Sequence, residues 1–339
     1  MSGLRILSCG PGISIQDLGR PGYIEQGLSI SGAADHLAIY EAAALLGHVE
    51  PQAAIEMAGV GGTFKSEINM TIALTGASMK AGINGTHAVW NATHLLPKDA
   101  VLNIEGIQTG NYGYLSFGAG ISTKTFLGSK STHLRAGIGH ALQAEELVPI
   151  GQEKTGTAGI VLDVKERFNG GIIRIIPSFQ TSLFSRSQYE RFTETTFIRS
   201  LRGNRMGVAF DFEGDGFSAE GQLDILSEII SVGDIQMTGE GRPFVLLQEC
   251  QTTGGYPRIG TVIPADLPKL AQTPPGIEIS FQMITLKEAL NVQKSFEKNI
   301  NELRRRVRPL IRDPITMTNL LAYQLISGAI SANATSEES

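Results

Sequence analysis

Residues 71–117 read TIALTGASMKAGINGTHAVWNATHLLPKDAVLNIEGIQTGNYGYLSF, and this stretch decides the fold class. Apolar and β-branched runs fall at Thr71–Leu74, Val89–Ala92, Val101–Ile104 and Tyr112–Phe117. Asn84-Gly85 and Lys98-Asp99 punctuate them as turn signals. The runs are too short for helices, so the spacing predicts short strands joined by tight turns, as in an all-β barrel or sandwich. Upstream, Ala53–Met57 reads as another strand ahead of Gly61-Gly62. Ile13 and Ile15 alternate with polar residues as on a half-buried strand. Glycine fits this reading: 40 of 339 residues, about 12%, against an average near 7%.

One clear helix interrupts the strands of the first half, His36 to Leu46, rich in alanine and leucine. Ser31 is the expected N-cap, Asp35 suits the positive end of the dipole, and Gly47 suits the position after the last turn. In the second half, strands are expected at Gly171–Pro177, Met206–Phe210, Gly233–Met237, Phe244–Leu247 and Ile277–Gln282, with a short helix over Ser185–Phe192. Thr285-x-x-Glu288 is a capping box. Behind it, Leu286, Leu290, Phe296, Ile300, Leu303 and Val307 step by threes and fours, apart from one gap at Gln293, and predict a long helix ended by Arg304-Arg305-Arg306-x-Arg308. The polar, glycine-rich stretch 149–160 marks a boundary. The expected division is a β-rich domain over 1–155, a β-barrel domain over 156–284, a helical segment over 285–330 and a disordered tail over 331–339.

Composition excludes several classes. With 42% hydrophobic and 18% charged residues the chain is globular, and a net charge of −5 argues against a nucleic-acid partner. No window is apolar enough for a membrane span, and Met1 to Gly12 lack the pattern of a signal peptide. Two cysteines, Cys9 and Cys250, form no disulfide framework, so a cytoplasmic protein is expected. Phosphate-loop, dinucleotide, nucleophile-elbow, zincin and C-x-x-C patterns are all missing. The six histidines form no ligand pattern stronger than the seven-residue spacings His87/His94 and His133/His140, so no metal is expected.

Four polar clusters remain. Gln16-Asp17-Leu18-Gly19-Arg20 lies ahead of Ser31-Gly32-Ala33-Ala34-Asp35. Asp17 and Asp35 are candidates for base or orienting carboxylate, and Arg20 and Ser31 for an anion site; a plain turn pair and a plain cap are the structural alternatives. Gln251-Thr252-Thr253-Gly254-Gly255-Tyr256 follows an apolar strand. There Gln251, Thr252 and Tyr256 suit the polar edge of a substrate, or a β-turn. Lys130, Arg135 and the hydroxyls of 129–132 suit an oxyanion or a solvated loop. Arg205, in Asn204-Arg205-Met206-Gly207, precedes a strand and adds a further cation. Cys250 has no histidine near it in sequence and follows a core strand, so it is a poor nucleophile.

Together Gln16–Gly22, Ser31–Asp35, Leu74–Ala77, Leu127–Thr132, Asn204–Gly207 and Gln251–Pro257 occur in the order of one family. The chain resembles the allophanate hydrolase subunit 2 family, also called KipA or biotin-dependent carboxyltransferase, and within it the branch that supplies the C subunit of 5-oxoprolinase. The resemblance covers roughly residues 4–284. It implies a mainly β, cyclophilin-like barrel architecture. It implies work in a complex with a KipI-like protein and a LamB/YcsF-type protein, opening 5-oxo-L-proline to L-glutamate with ATP held at the level of the complex. Two other readings belong to the same family: a carboxyltransferase taking carboxybiotin to a small amide such as urea, and a non-catalytic regulator that binds a KipI-like kinase inhibitor.

Overall fold

The computed structural model describes residues 2–152, 157–220 and 226–311. They are mainly β: an eleven-stranded sheet, a closed barrel of seven strands and a two-stranded ladder.

The strands of the first sheet are longer than the turn signals predicted. Met70–Ile83 runs for 14 residues and Val101–Phe117 for 17, and the two pair antiparallel along their lengths. Two glycines inside the strands act as bends. Gly76 and Gly110 have φ of 75° and 87°, and the ladder slips register between Gly76 and Ala81. A β-carbon on Gly110 would lie 2.7 Å from both Ala77 and Phe168. The bend lets Val101–Phe117 pair with Gly62–Ser66 in its first half and with Ala54–Ala58 in its second. The expected strand at Val89–Ala92 is wrong: residues 89–91 form a loop, and the strand is Ala92–Leu96. Ser14 and Gln16 are buried along with Ile13 and Ile15, so that segment is not half-buried.

Helix α1 (His36–Leu46) packs on this sheet. Its N-cap is Asp35, whose side chain accepts from Ala38 N at 3.2 Å, and not Ser31; Gly47 ends it at φ 71° as expected.

The barrel begins at Gly171–Ile176, which pairs in parallel with Glu278–Met283 and antiparallel with Arg258–Val262. Its core is aromatic where that of the first sheet is aliphatic. Phe192 stacks on Phe281 with centroids 5.2 Å apart, and Phe184, Phe197, Phe210, Phe212 and Phe217 pack with them among aliphatic side chains. Helix α2 (Arg186–Glu194), capped by Ser185, supplies Phe192. Helix α3 (Leu267–Gln272) touches the long strand Val101–Phe117.

Relative to the expected division at 155/156, strand Ile160–Leu162 still belongs to the first sheet, and Val307–Pro309 returns to pair with it. Helix α4 (Leu286–Glu302) starts in the expected capping box, where Thr285 Oγ1 accepts from Glu288 N at 3.2 Å and Glu288 accepts from Thr285 N at 2.8 Å. The predicted apolar face is half right. Phe296, Ile300 and Leu303 pack against Leu37 and Leu45 of α1. Leu286 and Leu290 are 63% and 53% exposed, and Val307 is in a strand and not on the helix. Arg304–Arg306 form a 3-10 turn after α4. The expected tail at 331–339 lies outside the described residues.

Candidate functional site

Two loops of the first half cross at glycines. Gly19 and Gly32 have φ of 84° and 92°; a β-carbon on Gly32 would sit 2.8 Å from Gly19 N, and one on Gly19 would sit 2.6 Å from Ile30 O. Only residues without a side chain allow this approach. The crossing is tied by Arg20 N to Ile30 O and Ala33 N to Asp17 O, both 2.8 Å. Segment 129–132 closes over it. Asp17 accepts from Gly19 N (2.8 Å), Ser129 Oγ (2.6 Å), Lys130 N (2.7 Å) and Ser131 Oγ. Ser31 Oγ donates to Thr132 O at 2.6 Å. The carboxylate of Asp17 is therefore saturated by local donors, which is what a structural anchor looks like.

Asp35 is fully buried and equally committed. Besides capping α1 it accepts from Arg167 Nε at 2.9 Å and Gln272 Nε2 at 2.8 Å. Arg167 also grips Glu41 through two bonds of 2.8 and 2.7 Å. Burial opposes the Arg167 charge, but Asp35 and Glu41 outweigh it and raise its pKa. Gln272 ties α3 to the long strand, accepting from Asn111 N and Tyr112 N at 2.9 Å and donating to Tyr112 O at 2.8 Å.

A cleft of about 540 Å³ opens where the first sheet meets the barrel. Glu56, Tyr112 and Arg135 come from the first half; Arg199, Arg205 and Glu249 come from the barrel. Arg205 stands in the turn between Thr196–Asn204 and Gly207–Asp211 and reaches across the junction. It donates to Glu249 Oε1 at 2.6 Å, to Glu56 Oε1, and to Gly32 O at 2.6 Å. Burial works against its charge, and Glu56 and Glu249 overcome that and raise its pKa. Glu56 is held from behind by Ala34 N and the Tyr114 hydroxyl, both 2.8 Å. Glu249 Oε2 lies 3.8 Å from His133 Nδ1. That imidazole accepts from Ala136 N at 3.3 Å and has Nε2 2.9 Å from Ser29 Oγ, so Nε2 carries the proton. Burial lowers the pKa of His133 and keeps it neutral, against the pull of Glu249.

The expected site residues do not converge. Arg135 and Arg205 line the cleft. Arg20 and Ser31 line a second pocket of about 460 Å³ together with Gln248, whose neighbour in the chain, Glu249, lines the cleft. Arg20 is 1% exposed and donates to Ser131 O, so it is not the surface ion-pair partner its motif suggested. Asp17 and Asp35 line neither cavity, and neither do Gln251, Thr252 and Tyr256. Those three belong to a loop whose Thr253–Gly254 pairs with Glu228–Ile229, and Tyr256 is 52% exposed. The loop reaches the cleft only through Glu249, just ahead of it. Cys250 is buried, and burial pushes its thiol up to about 12, which fits an inert side chain.

Sequence reasoning missed Glu56, Tyr112, Arg199 and the supporting Glu41, Arg167 and Gln272. A signal existed for two of them: Glu56 is the one charge in the apolar strand Ala54–Ala58, and Glu41 the one charge in α1. No group of three or more histidine, cysteine, aspartate or glutamate side chains among the described residues is arranged to hold a metal. No helix among them is long and apolar enough to cross a membrane.

Comparison with known proteins agrees with this architecture. Residues 26–283 match the carboxyltransferase domain, subdomain A and B. Two relatives, each named as the C subunit of 5-oxoprolinase, are similar along nearly their whole length. The Escherichia coli K12 protein is 32% identical over 88% of this chain and 97% of its own, and the Haemophilus influenzae protein 33% identical over 86% and 94%. Their name makes each one part of a larger enzyme. Among solved structures, TTHA0988 superposes with a TM-score of 0.75 at 27% identity, over 83% of this chain and 55% of that one. Kluyveromyces lactis urea carboxylase superposes with a TM-score of 0.80 at 20% identity, over 92% of this chain and 31% of that one, which is a likeness of fold. The chain thus spans about half of the TTHA0988 chain and a third of the carboxylase.

Proposed function

We propose, from the premise that this chain belongs to the carboxyltransferase domain family, subdomains A and B, that it is the C subunit of an ATP-dependent 5-oxoprolinase and holds the lactam for ring opening. The observation that carries this reading is the cleft built jointly by sheet and barrel, with Arg205 fixed between Glu56 and Glu249 at its wall. The two relatives named for the same part of a 5-oxoprolinase support it.

A lactam resists hydrolysis because its carbonyl is resonance-stabilised. Ring opening needs donors placed where negative charge develops, a water to attack the carbonyl carbon and a proton for the ring nitrogen as the C–N bond breaks. An acceptor for the ring N–H orients the lactam beforehand. In this reading Glu249 Oε2 accepts the N–H and Arg135, on the 3-10 turn at the rim, faces the developing charge. Arg205 fixes the orientation of Glu249 through its bond to Oε1. A triphosphate does not fit these residues: Arg205 is already neutralised by two carboxylates that would repel phosphate, and the N-terminus of α1 is capped by Asp35. ATP therefore belongs to the complex and not to this cleft. The partners are a KipI-like protein and a LamB/YcsF-type protein.

The test is to co-purify the chain with both partners and follow ATP hydrolysis that depends on 5-oxo-L-proline. The complex is expected to form glutamate, and the single chain to be silent. Glutamate formation by the single chain, or consumption of carboxybiotin instead of ATP by the complex, would sink the proposal.

A further inference from the structure

The buried arginines of this protein are not alike. Arg167 is paired with Asp35 and Glu41, Arg205 with Glu56 and Glu249, and Arg258 with Asp234 and Glu228. Arg20 has no carboxylate in contact among the described residues, yet Asp17 and Glu249 act on its charge from nearby. Among the described residues Arg20 also has an unpartnered nitrogen, Nη1, but it borders the other pocket; Arg199 is the buried arginine without a carboxylate partner that borders the cleft. It is 4% exposed, and among the described residues no carboxylate pairs with it. Its partners are neutral: Nη1 donates to Thr273 O, and the amide oxygen of Asn111, in the orientation that satisfies both groups, lies 3.1 Å from both terminal nitrogens. Its Nε is buried with no acceptor among the described residues.

Burying a guanidinium without a counter-charge is costly, and the cost is not recovered by neutral acceptors alone. Burial correspondingly lowers the pKa of Arg199, with only Tyr112 opposing it. The side chain borders the cleft, beside Tyr112, Ser200 and Gly203. The strand that carries it is irregular there, because its ladder with Gly207–Asp211 shifts register between Arg199 and Gly203. This leaves a positive, incompletely bonded group at a cavity large enough for a small molecule.

We propose that Arg199 is the receptor for a carboxylate on the molecule that the cleft binds, so that the site selects a small anionic amide over a neutral one such as urea. The inference rests on the reading that this cleft is the substrate site, and it specifies the substrate class. A bound carboxylate provides both what Arg199 lacks, a counter-charge and an acceptor, in the charge-assisted geometry that arginine favours.

The experiment is calorimetric titration of the full chain, alone and with its co-purified partners. Three ligands are used: 5-oxo-L-proline, its uncharged analogue pyrrolidin-2-one, and glutarate as a carboxylate without a lactam. Wild type is expected to prefer 5-oxo-L-proline to pyrrolidin-2-one by about 10- to 100-fold, the scale of a hydrogen bond to a charged group. Arg199→Met should bring the two lactams within about 2-fold of each other by weakening only the anionic one, and Arg199→Lys should restore part of the preference. In the complex the loss should fall on KM more than on kcat. The wild-type comparison needs no variant, so it stands even where Arg199→Met fails to fold. Equal affinity for the two lactams, or a preference that survives in Arg199→Met, overturns the inference and leaves the lactam reading standing. Glutarate bound through Arg199 with neither lactam bound supports the inference and overturns the lactam reading. No binding of either carboxylate at about 10 mM, a free energy weaker than roughly 3 kcal/mol, overturns the inference.

Discussion

Arg167 and Arg205 each lie between two carboxylates, yet they join different things. Both partners of Arg167 come from α1 and its cap, Asp35 and Glu41, so this arginine pins the segment between the first sheet and the barrel to one helix. Arg205 takes Glu56 from the first sheet and Glu249 from the barrel, so it bridges the two halves at the edge of a cleft. The same chemistry thus makes a lock in one place and a working wall in the other. What separates them is who else can help the carboxylates. Among the described residues Glu41 has only Arg167 for its two bonds, whereas Glu56 has Ala34 N and Tyr114, and Glu249 has His133 within reach.

The largest effect should therefore come from Arg167→Met, which strands Glu41 in the interior, leaves Asp35 with only Ala38 N and Gln272 as donors among the described residues, and should cost about 3–5 kcal/mol of stability in denaturant unfolding. A loss below that of Arg205→Met would break the contrast. Arg205→Met should cost less, about 2–3 kcal/mol, because Glu56 keeps Ala34 N and the Tyr114 hydroxyl as donors. Its deficit should also shrink as pH falls. Arg205 is one of the charges that lowers the pKa of His133. Without it His133 protonates more readily beside Glu249 and replaces part of the missing charge. A deficit that grows between pH 8 and pH 6 would contradict this.

Asp17→Asn removes an anchor and not a base. It should lower stability by about 1–2 kcal/mol and leave lactam affinity in the assembled complex within about 2-fold. A large fall in kcat with unchanged stability would return Asp17 to the chemistry. The smallest effect belongs to His133→Gln. Burial holds the folded His133 below its ordinary pKa, so the unfolded chain takes the proton first as pH falls. The stability it permits is full above about pH 6.5 and declines below that. His133→Gln should change little at pH 7.5 and flatten the decline between pH 6.5 and 5 in a melting series.

The sequence revealed the β class, α1, the Thr285 capping box and the family, because each depends on neighbours in the chain. It did not reveal the length of the strands at 70–83 and 101–117, since a glycine that bends a strand and one that ends it look alike in isolation. The motif residues were visible as motifs, and their division into anchor and site was not. Asp17 and Asp35 are carboxylates beside glycines, just as a catalytic base would be. What engages their oxygens is the set of donors from 129–131, Arg167 and Gln272, more than a hundred residues away in each case. Arg199 carried no signal at all, because a missing partner is defined only by what the fold brings near.

Strand Ile160–Leu162 joins the first sheet through Ala92 on one side and through Val307–Pro309 on the other. Its outer partner is made about 150 residues later, which at the usual synthesis rate of about 5–20 residues per second is a wait of roughly 7 to 30 s. Throughout that interval Ile160–Leu162 is itself the edge strand, and a nascent chain beside another can pair with the wrong neighbour. The barrel is threaded into that delay, so order of birth and order of completion differ: the half begun first is finished last. A fragment ending before residue 307 leaves Ile160–Leu162 as the edge for good, and its solubility against that of the full chain measures how much the late strand protects.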